Sequence, residues 1–238
     1  SVFNGLNATV MAYGQTGSGK TYTMGSAFDA SSCEESQKGI IRRVMDKMFG
    51  MIGEREAATT FTVKLSFLEI YHEDICDLLT GESADHPQPG GLRMVGGAKP
   101  GDSIEVMGLT EHVVNSPEEM EKLLAQGSGK RHTSSTKMNE VSSRSHAICT
   151  ITLLQRPKVG VNGITADEAE LQQMSAKFHL VDLAGSERAK STGAEGNRLK
   201  EGISINLSLS VLGNVISALG DEDKQGSHVP YRESTLTR

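Results

Sequence analysis

An α/β layer sandwich, a mixed and mostly parallel central sheet held between helices, is the fold class this sequence predicts. Three observations carry it. Short β-prone apolar runs alternate along the chain with segments whose apolar residues recur at helical spacing. The first such run stops abruptly at Gly14 and gives way to a helix opening. Apolar residues make up 37% of the 238 residues, enough for one sizeable core, and the length allows one domain or two small ones.

Ala8 to Tyr13 is the first of these runs and reads as a buried strand. Ser18 to Met24 opens a helix, and the polar stretch Gly25 to Lys38 reads as a loop. Ile41, Val44, Met45, Met48 and Ile52 then share one helical face, either as a second helix or as a continuation of the first. Phe61, Val63, Leu65 and Phe67 alternate with Thr62, Lys64 and Ser66, the period of a strand. Gly81 to Asp102 holds Pro87, Pro89 and Pro100 among several glycines and reads as a long surface loop.

Ser116, Pro117 and Glu119 are three concordant signals of a helix start: a cap, a first-turn proline and a capping box. Ala147 to Leu153 reads as a strand. Asn162-Gly163 marks a turn, although the polar stretch around it suits a flexible loop equally well. Lys177 to Val181 is a further strand that runs into Asp182. Leu209, Leu212, Val215, Ile216 and Leu219 form an amphipathic helix stopped by Gly220. There is no internal repeat and no low-complexity tract.

Composition excludes several functions. Lys plus Arg is 24 against 30 Asp plus Glu, a formal charge of −6. General nucleic-acid binding needs a strongly basic face, so none is expected, although a local basic patch remains open. Aromatics are 4% and Trp is absent, which argues against an aromatic platform for sugars or single strands. Cys33, Cys76 and Cys149 are too far apart for a metal knuckle and odd in number, so reduced thiols are expected. No apolar run approaches the roughly 20 residues of a membrane span, and no signal peptide opens the chain. A soluble, intracellular protein is expected. Starting at Ser1 and stopping at Arg238 inside a patterned segment, the sequence reads as a fragment.

The chemistry starts at Gly14-Gln15-Thr16-Gly17-Ser18-Gly19-Lys20-Thr21, which fits G-x-x-x-x-G-K-[ST]. Glycines there let the backbone wrap so that several N–H groups face one anion, and the following helix adds its positive end. Lys20 reaches β and γ phosphates in such a loop, and the Thr21 hydroxyl ligates Mg²⁺. Asp182-Leu183-Ala184-Gly185 ends a strand with an acid and adds a glycine three residues on. Beside a P-loop, that acid sits near the metal and the glycine N–H can sense a γ-phosphate. A small GTPase is excluded by the 160 residues between Thr21 and Asp182 and by the lack of an N-K-x-D motif.

Between the two lies Asn139 to His146, rich in hydroxyls and suited to closing on phosphate and metal. GQTGSGKT with its flanks NATVMAYG and YTMG, SSRSH at Ser142 to His146, and DLAGSE at Asp182 to Glu187 together resemble the kinesin motor domain. So do Glu201 to Asn206, the following LGNVISAL, and HVPYRESTLTR at His228 to Arg238. The matches run in the family's order from Ala8 to Arg238. The resemblance implies a P-loop motor fold and a microtubule-stimulated ATPase that takes ATP with Mg²⁺, working in the cytoplasm on the microtubule cytoskeleton.

It also implies roles residue by residue. Gly14, Gln15, Thr16, Gly17, Ser18, Gly19, Lys20 and Thr21 bind the phosphates. Thr21, Ser143 and Asp182 lie at the metal, and Asn139 and Ser142 lie near the γ-phosphate. The Gly185 N–H bonds that phosphate, and Arg144 and Glu187 form an ion pair that closes the site, with Glu187 relaying the proton. Tyr22 stands where the family often places a ring near the adenine, or is a packed helix residue. His146 reads as a structural hydrogen-bonder rather than a base.

Tubulin contacts are expected from Arg188, Lys190, Arg198 and Lys200, in a short Gly-containing loop with Glu195 and Glu201, and from His228, Tyr231 and Arg232. Several residues depart from the family pattern: Thr235 for a common Lys, the acidic Asp221-Glu222-Asp223, Leu207, Ser204 and Arg42. They predict weakened microtubule affinity, so a kinesin-like regulator or scaffold that binds nucleotide without moving is the first rival. A P-loop enzyme with another substrate is the second. By the same resemblance the first strand and the last strand, helix and neck lie outside residues 1–238. The P-loop strand is then expected to expose an apolar edge, and the bare fragment to aggregate.

Overall fold

The chain runs β1 (Ala8–Ala12), α1 (Lys20–Met24), α2 (Ile40–Gly53), β2 (Thr59–Tyr71), β3 (Asp74–Asp77), β4 (Arg93–Gly96) and β5 (Ile104–Met107), and continues through β6 (His112–Val114), α3 (Pro117–Thr133), β7 (His146–Pro157), α4 (Ala166–Leu171), β8 (Met174–Asp182) and α5 (Asn197–Gly220). This is a computed structural model. It describes residues 1–25, 38–80, 92–96, 104–133, 143–187, 197–221 and 228–238, without the side chains of 132–133 and 197–205.

Five strands pair in the order β1-β8-β7-β2-β3, and β6 pairs with β2 on the edge that β3 also uses. The sheet is mixed. β1 and β8 are parallel, with Ala8 opposite Phe178 and Ala12 opposite Asp182, and β8-β7, β7-β2, β2-β3 and β2-β6 are antiparallel. Among the described residues β1 has a partner on one side only.

Successive side chains of a strand point to opposite faces, and here both faces are covered. Cys149, Ile151 and Leu153 of β7 and Leu180 of β8 join the larger core with Ile41, Met45 and Met48 of α2 and Met120 and Leu124 of α3. Ile148 and Val181, one residue out of phase, join a smaller core with Leu183, Leu209 and Leu212, and Leu236 packs there too. Helices α2 and α3 therefore cover one face and α5 the other. Arg42, one of the departures from the family pattern, forms an ion pair with Glu121 that ties α2 to α3.

The α1 and α2 segments are separate helices. Gly25 ends α1 in a left-handed conformation, and a Cβ on Gly39, ahead of α2, would lie 2.4 Å from Gly25 Cα. The α3 cap differs from a standard box. The Glu119 N–H donates to Ser116 Oγ at 3.3 Å, but the Glu119 carboxylate accepts from Asn115 N–H at 2.7 Å rather than from Ser116.

Three expectations are corrected. Within the segment read as a loop, Arg93–Gly96 is a strand that pairs antiparallel with Ile104–Met107; the prolines of that segment fall outside the described residues. The stretch after Asn162-Gly163 holds a helix, α4, capped by Thr165 in a full capping box with Glu168. Helix α5 begins at Asn197, so Arg198 and Lys200 belong to a helix rather than to a loop. Its buried face is Ser208, Leu209, Val211 and Val215, whereas Ile216 and Leu219 are 52% and 61% exposed.

Candidate functional site

Because β1 and β8 are parallel and end level with each other, the chain leaves both at the same rim of the sheet. Ligand sites of α/β sheets form at such strand ends. After β1 the backbone curls through Gly17 and Gly19, at φ 78° and 90°, where a side chain would be strained. The Ser18 N–H closes the curl on Gln15 O at 3.2 Å. With five residues, α1 contributes its first-turn N–H groups rather than a long macrodipole.

Lys20 Nζ donates to Gln15 O at 2.9 Å, so the cation spans the loop it follows. Thr21 Oγ1 donates to Asp182 Oδ2 at 2.8 Å, which joins two residues expected at the metal. Asp182 is 2% exposed. Behind it Arg131 reaches Asp182 Oδ2 through Nη1 at 3.3 Å, Glu69 Oε1 through Nε at 3.3 Å and Ser145 O through Nη2 at 3.0 Å. The Ser145 hydroxyl also donates to Glu69. One guanidinium thus sits between two carboxylates, in the buried geometry in which such a charge persists.

Sequence reading missed Arg131 and Glu69. The available signal was Glu69 itself, a charge within the apolar run FLEIY of a strand.

The end of β8 is held by four successive amides. Leu183 N–H donates to Ala12 O at 3.3 Å, Gly185 N–H to Ser143 O at 2.8 Å and Ser186 N–H to Gly14 O at 3.1 Å. Ala184 N–H donates to His146 Nδ1 at 3.1 Å. The Gly185 N–H expected on a γ-phosphate is therefore on the Ser143 carbonyl. Ser143 and Arg144 are half-buried, and Asn139 and Ser142 lie outside the described residues.

Glu187 differs from its implied pairing with Arg144. Its carboxylate is on the P-loop, accepting from Thr16 N–H at 2.9 Å and from the Thr16 hydroxyl. Burial pushes its carboxyl up, but the Thr16 hydrogen bonds and the Lys20 charge together hold it below the ordinary value. The Gly185 backbone lies directly beneath, where any side chain would collide with Glu187 and Thr16.

Tyr22 is 69% exposed, which overturns the packed-residue alternative and leaves an open ring next to the P-loop. Burial raises the thiol of Cys76 and takes that of Cys149 up to about 12, so both stay protonated at neutral pH; Cys33 lies outside the described residues. Among the described residues no helix is long and apolar enough to cross a membrane.

Of the residues expected at a track, Arg188 and Lys190 lie outside the described residues, as do the side chains of Arg198 and Lys200. His228, Tyr231 and Arg232 are exposed on the C-terminal segment. That segment is docked by Leu236 against the α5 core and by the β2–β3 turn. Thr235 N–H donates to Glu73 Oε2 at 2.6 Å, and its hydroxyl to Glu73 O at 2.9 Å.

The family model for the kinesin motor domain matches residues 1–238. The chain is 48% identical to kinesin-like protein KIF21B of Homo sapiens over 257 residues, covering 99% of this chain and 16% of that protein. It is 50% identical to chromosome-associated kinesin KIF4A of Homo sapiens over 237 residues, covering 100% and 18%. Among solved structures, a fast kinesin is 39% identical with a TM-score of 0.77, covering 100% of this chain and 60% of that one. KIF14 with ADP in complex with a microtubule is 40% identical with a TM-score of 0.78, covering 99% and 62%. The chain thus spans less than a fifth of the length of these curated relatives.

Proposed function

Because this chain belongs to the kinesin motor-domain family, we propose that it is the catalytic part of a microtubule-stimulated ATPase that converts ATP hydrolysis into movement. One observation carries the reading. The end of β8 touches the P-loop on one side, through Thr21–Asp182 and Ser186–Gly14, and the α5 helix on the other, through Val181 and Leu183 against Leu209. A change at the phosphate therefore has a packed route to α5, and helix shifts of this kind are an established switching mode.

The P-loop N–H groups hold the phosphates of ATP, and Lys20 leaves Gln15 O to reach the β and γ oxygens. Gly185 N–H leaves Ser143 O for the γ-phosphate. Glu187 is then released from Thr16 to pair with Arg144, with Asn139 and Ser142 closing alongside and Glu187 relaying the proton of the attacking water. Positioning and charge stabilisation supply most of the catalysis in phosphoryl transfer.

The oxygen donors Thr21, Ser143 and Asp182 fit Mg²⁺, a hard cation usually held by one or two protein oxygens together with phosphates and water. Thr21 Oγ1 and Asp182 Oδ2 already lie 2.8 Å apart, which brings two of these oxygens to one point. When bound, the ion neutralises charge on the phosphate oxygens. The exposed ring of Tyr22 is the adenine contact in this reading.

The partner we propose is the microtubule, met by Arg188, Lys190, Arg198, Lys200, His228, Tyr231 and Arg232, with the protein acting in the cytoplasm on that cytoskeleton. Attraction of these groups to an acidic track is screened by salt. The test is steady-state ATPase of the full chain with and without microtubules at low and moderate salt. Stimulation that fades with salt and is lost in Glu187→Ala is expected; basal turnover without stimulation overturns the reading.

A second reading, a nucleotide-binding microtubule regulator without motility, is favoured by Thr235, whose hydroxyl is used internally on Glu73. Salt-dependent pelleting without ATP-driven gliding would select it.

A further inference from the structure

We propose that His146 is a positioning residue that couples the phosphate-sensing end of β8 to helix α5 through Ser208; this rests on the reading above. The imidazole is 3% exposed and both nitrogens are engaged. Nδ1 accepts from Ala184 N–H at 3.1 Å, and Nε2 lies 2.9 Å from Ser208 Oγ. An amide N–H can only donate, so Nδ1 is the bare nitrogen and Nε2 carries the proton that it donates to Ser208. Burial, followed by the Arg131 charge, lowers the pKa of the ring to about 4, which keeps it neutral and holds this tautomer at physiological pH.

The placement makes His146 a fixed post between two movable parts. It opens β7 and is paired with Ile70 of β2 in the centre of the sheet. On one side it holds the amide that immediately precedes Gly185, whose own N–H is on Ser143 O. On the other it holds Ser208, which is 2% exposed on the sheet-facing side of α5. The Ala184 N–H and the Gly185 N–H lie on successive peptides that meet at the Ala184 Cα. When Gly185 turns towards a phosphate, the preceding peptide is therefore pulled with it to the extent that the Ala184 dihedrals do not absorb the turn, and the Ala184–His146 bond changes length or angle. The ring passes that change to Ser208. Val181, Leu183 and Leu209 pack alongside, but apolar contacts slide more readily than a buried hydrogen bond, which is directional.

The His146–Ser208 bond can be removed from either side. His146→Asn keeps an acceptor near the Nδ1 position for Ala184 and loses the reach to Ser208. Ser208→Ala loses the same bond from the helix side. In the full chain, the ratio of microtubule affinities in AMP-PNP and in ADP is measured together with basal kcat and Tm. Each variant is expected to reduce that ratio about fivefold, the lower end of ordinary coupling between sites. The double variant is expected to be no worse than either single, because both remove one bond.

An unchanged ratio in a folded Ser208→Ala chain, or losses that add in the double variant, would overturn the proposal. So would a loss of ratio that only tracks lowered Tm and basal kcat, since that is mere structural damage. Hydrogen exchange across residues 205–215 on switching from ADP to AMP-PNP, without microtubules, separates the two levels of the reading. If wild type lacks microtubule stimulation, only the functional reading fails. The coupling then stands if Ser208→Ala at least halves the nucleotide-dependent change in exchange, and falls if the change is equal to wild type or absent in both.

Discussion

Glu187 accepts two hydrogen bonds from Thr16, a residue 171 positions earlier in the chain, and so closes the segment after β8 onto the P-loop. The carboxylate expected to pair with Arg144 is held instead by a backbone amide and a hydroxyl. The proposed catalytic cycle requires this latch to open.

Thr16→Val removes the hydroxyl bond and keeps the amide. The hydrogen bonds stabilise the charged carboxylate, so losing one moves the Glu187 pKa upward, towards the ordinary glutamate value. Carboxyl NMR of a selectively labelled protein measures the shift; an unchanged or lower pKa would rule out the latch. Glu187→Ala is expected to lower stimulated kcat at least about 100-fold, the scale of a lost proton-transfer group.

Thr21 is expected to couple nucleotide binding to Mg²⁺. In wild type, chelating Mg²⁺ should weaken ATP binding at least about tenfold. In Thr21→Ala the hydroxyl on Asp182 is gone, a charge-assisted bond of a class worth about 1.5–3 kcal/mol. Because the same hydroxyl is the proposed Mg²⁺ ligand, the difference between Mg²⁺-loaded and Mg²⁺-free affinity should shrink. Calorimetric titration with and without chelator decides it, and equal Mg²⁺ dependence in both proteins would place the metal elsewhere.

His146 makes stability depend on pH. Its folded pKa, about 4, lies below the ordinary 6.5. Between these values the unfolded chain binds the proton and the folded chain does not, so stability falls as pH drops from 6.5 towards 4 and the loss is complete below about 4. A shift of this size corresponds to about 3 kcal/mol. Urea unfolding at pH 7 and pH 4.5 should show His146→Gln losing less stability on acidification than wild type. Parallel losses would show that other groups carry the acid response.

Arg131→Ala is expected to destabilise the fold by about 3–5 kcal/mol, because it leaves Glu69 and Asp182 as buried carboxylates without their guanidinium. Denaturant unfolding measures it. A loss below about 1 kcal/mol would mean that water reaches the two acids.

Local patterns were legible because local chemistry decides them. The run Ala8 to Tyr13, the glycine spacing of the P-loop and the cap at Ser116 each depend on neighbours within a few residues, and each appears close to where it was read. Helix α4 was equally local. Its Thr165–Glu168 box is a signal of the same local kind, set directly behind the stronger turn signal of Asn162-Gly163. The β4–β5 hairpin was less legible because glycines and prolines around Arg93–Gly96 dominate the composition, while the strands depend on pairing with each other.

The sequence by itself determined which residues form a phosphate loop, which acid ends the neighbouring strand, and hence the family, since these lie in short ordered motifs. Only the tertiary structure decided what those groups touch. Glu187 on Thr16, Gly185 on Ser143, Arg131 between Glu69 and Asp182, and His146 between Ala184 and Ser208 all join residues far apart in the chain. Such partners are selected when parallel β1–β8 pairing and burial bring distant segments to one rim and leave each polar group a small set of donors and acceptors within reach.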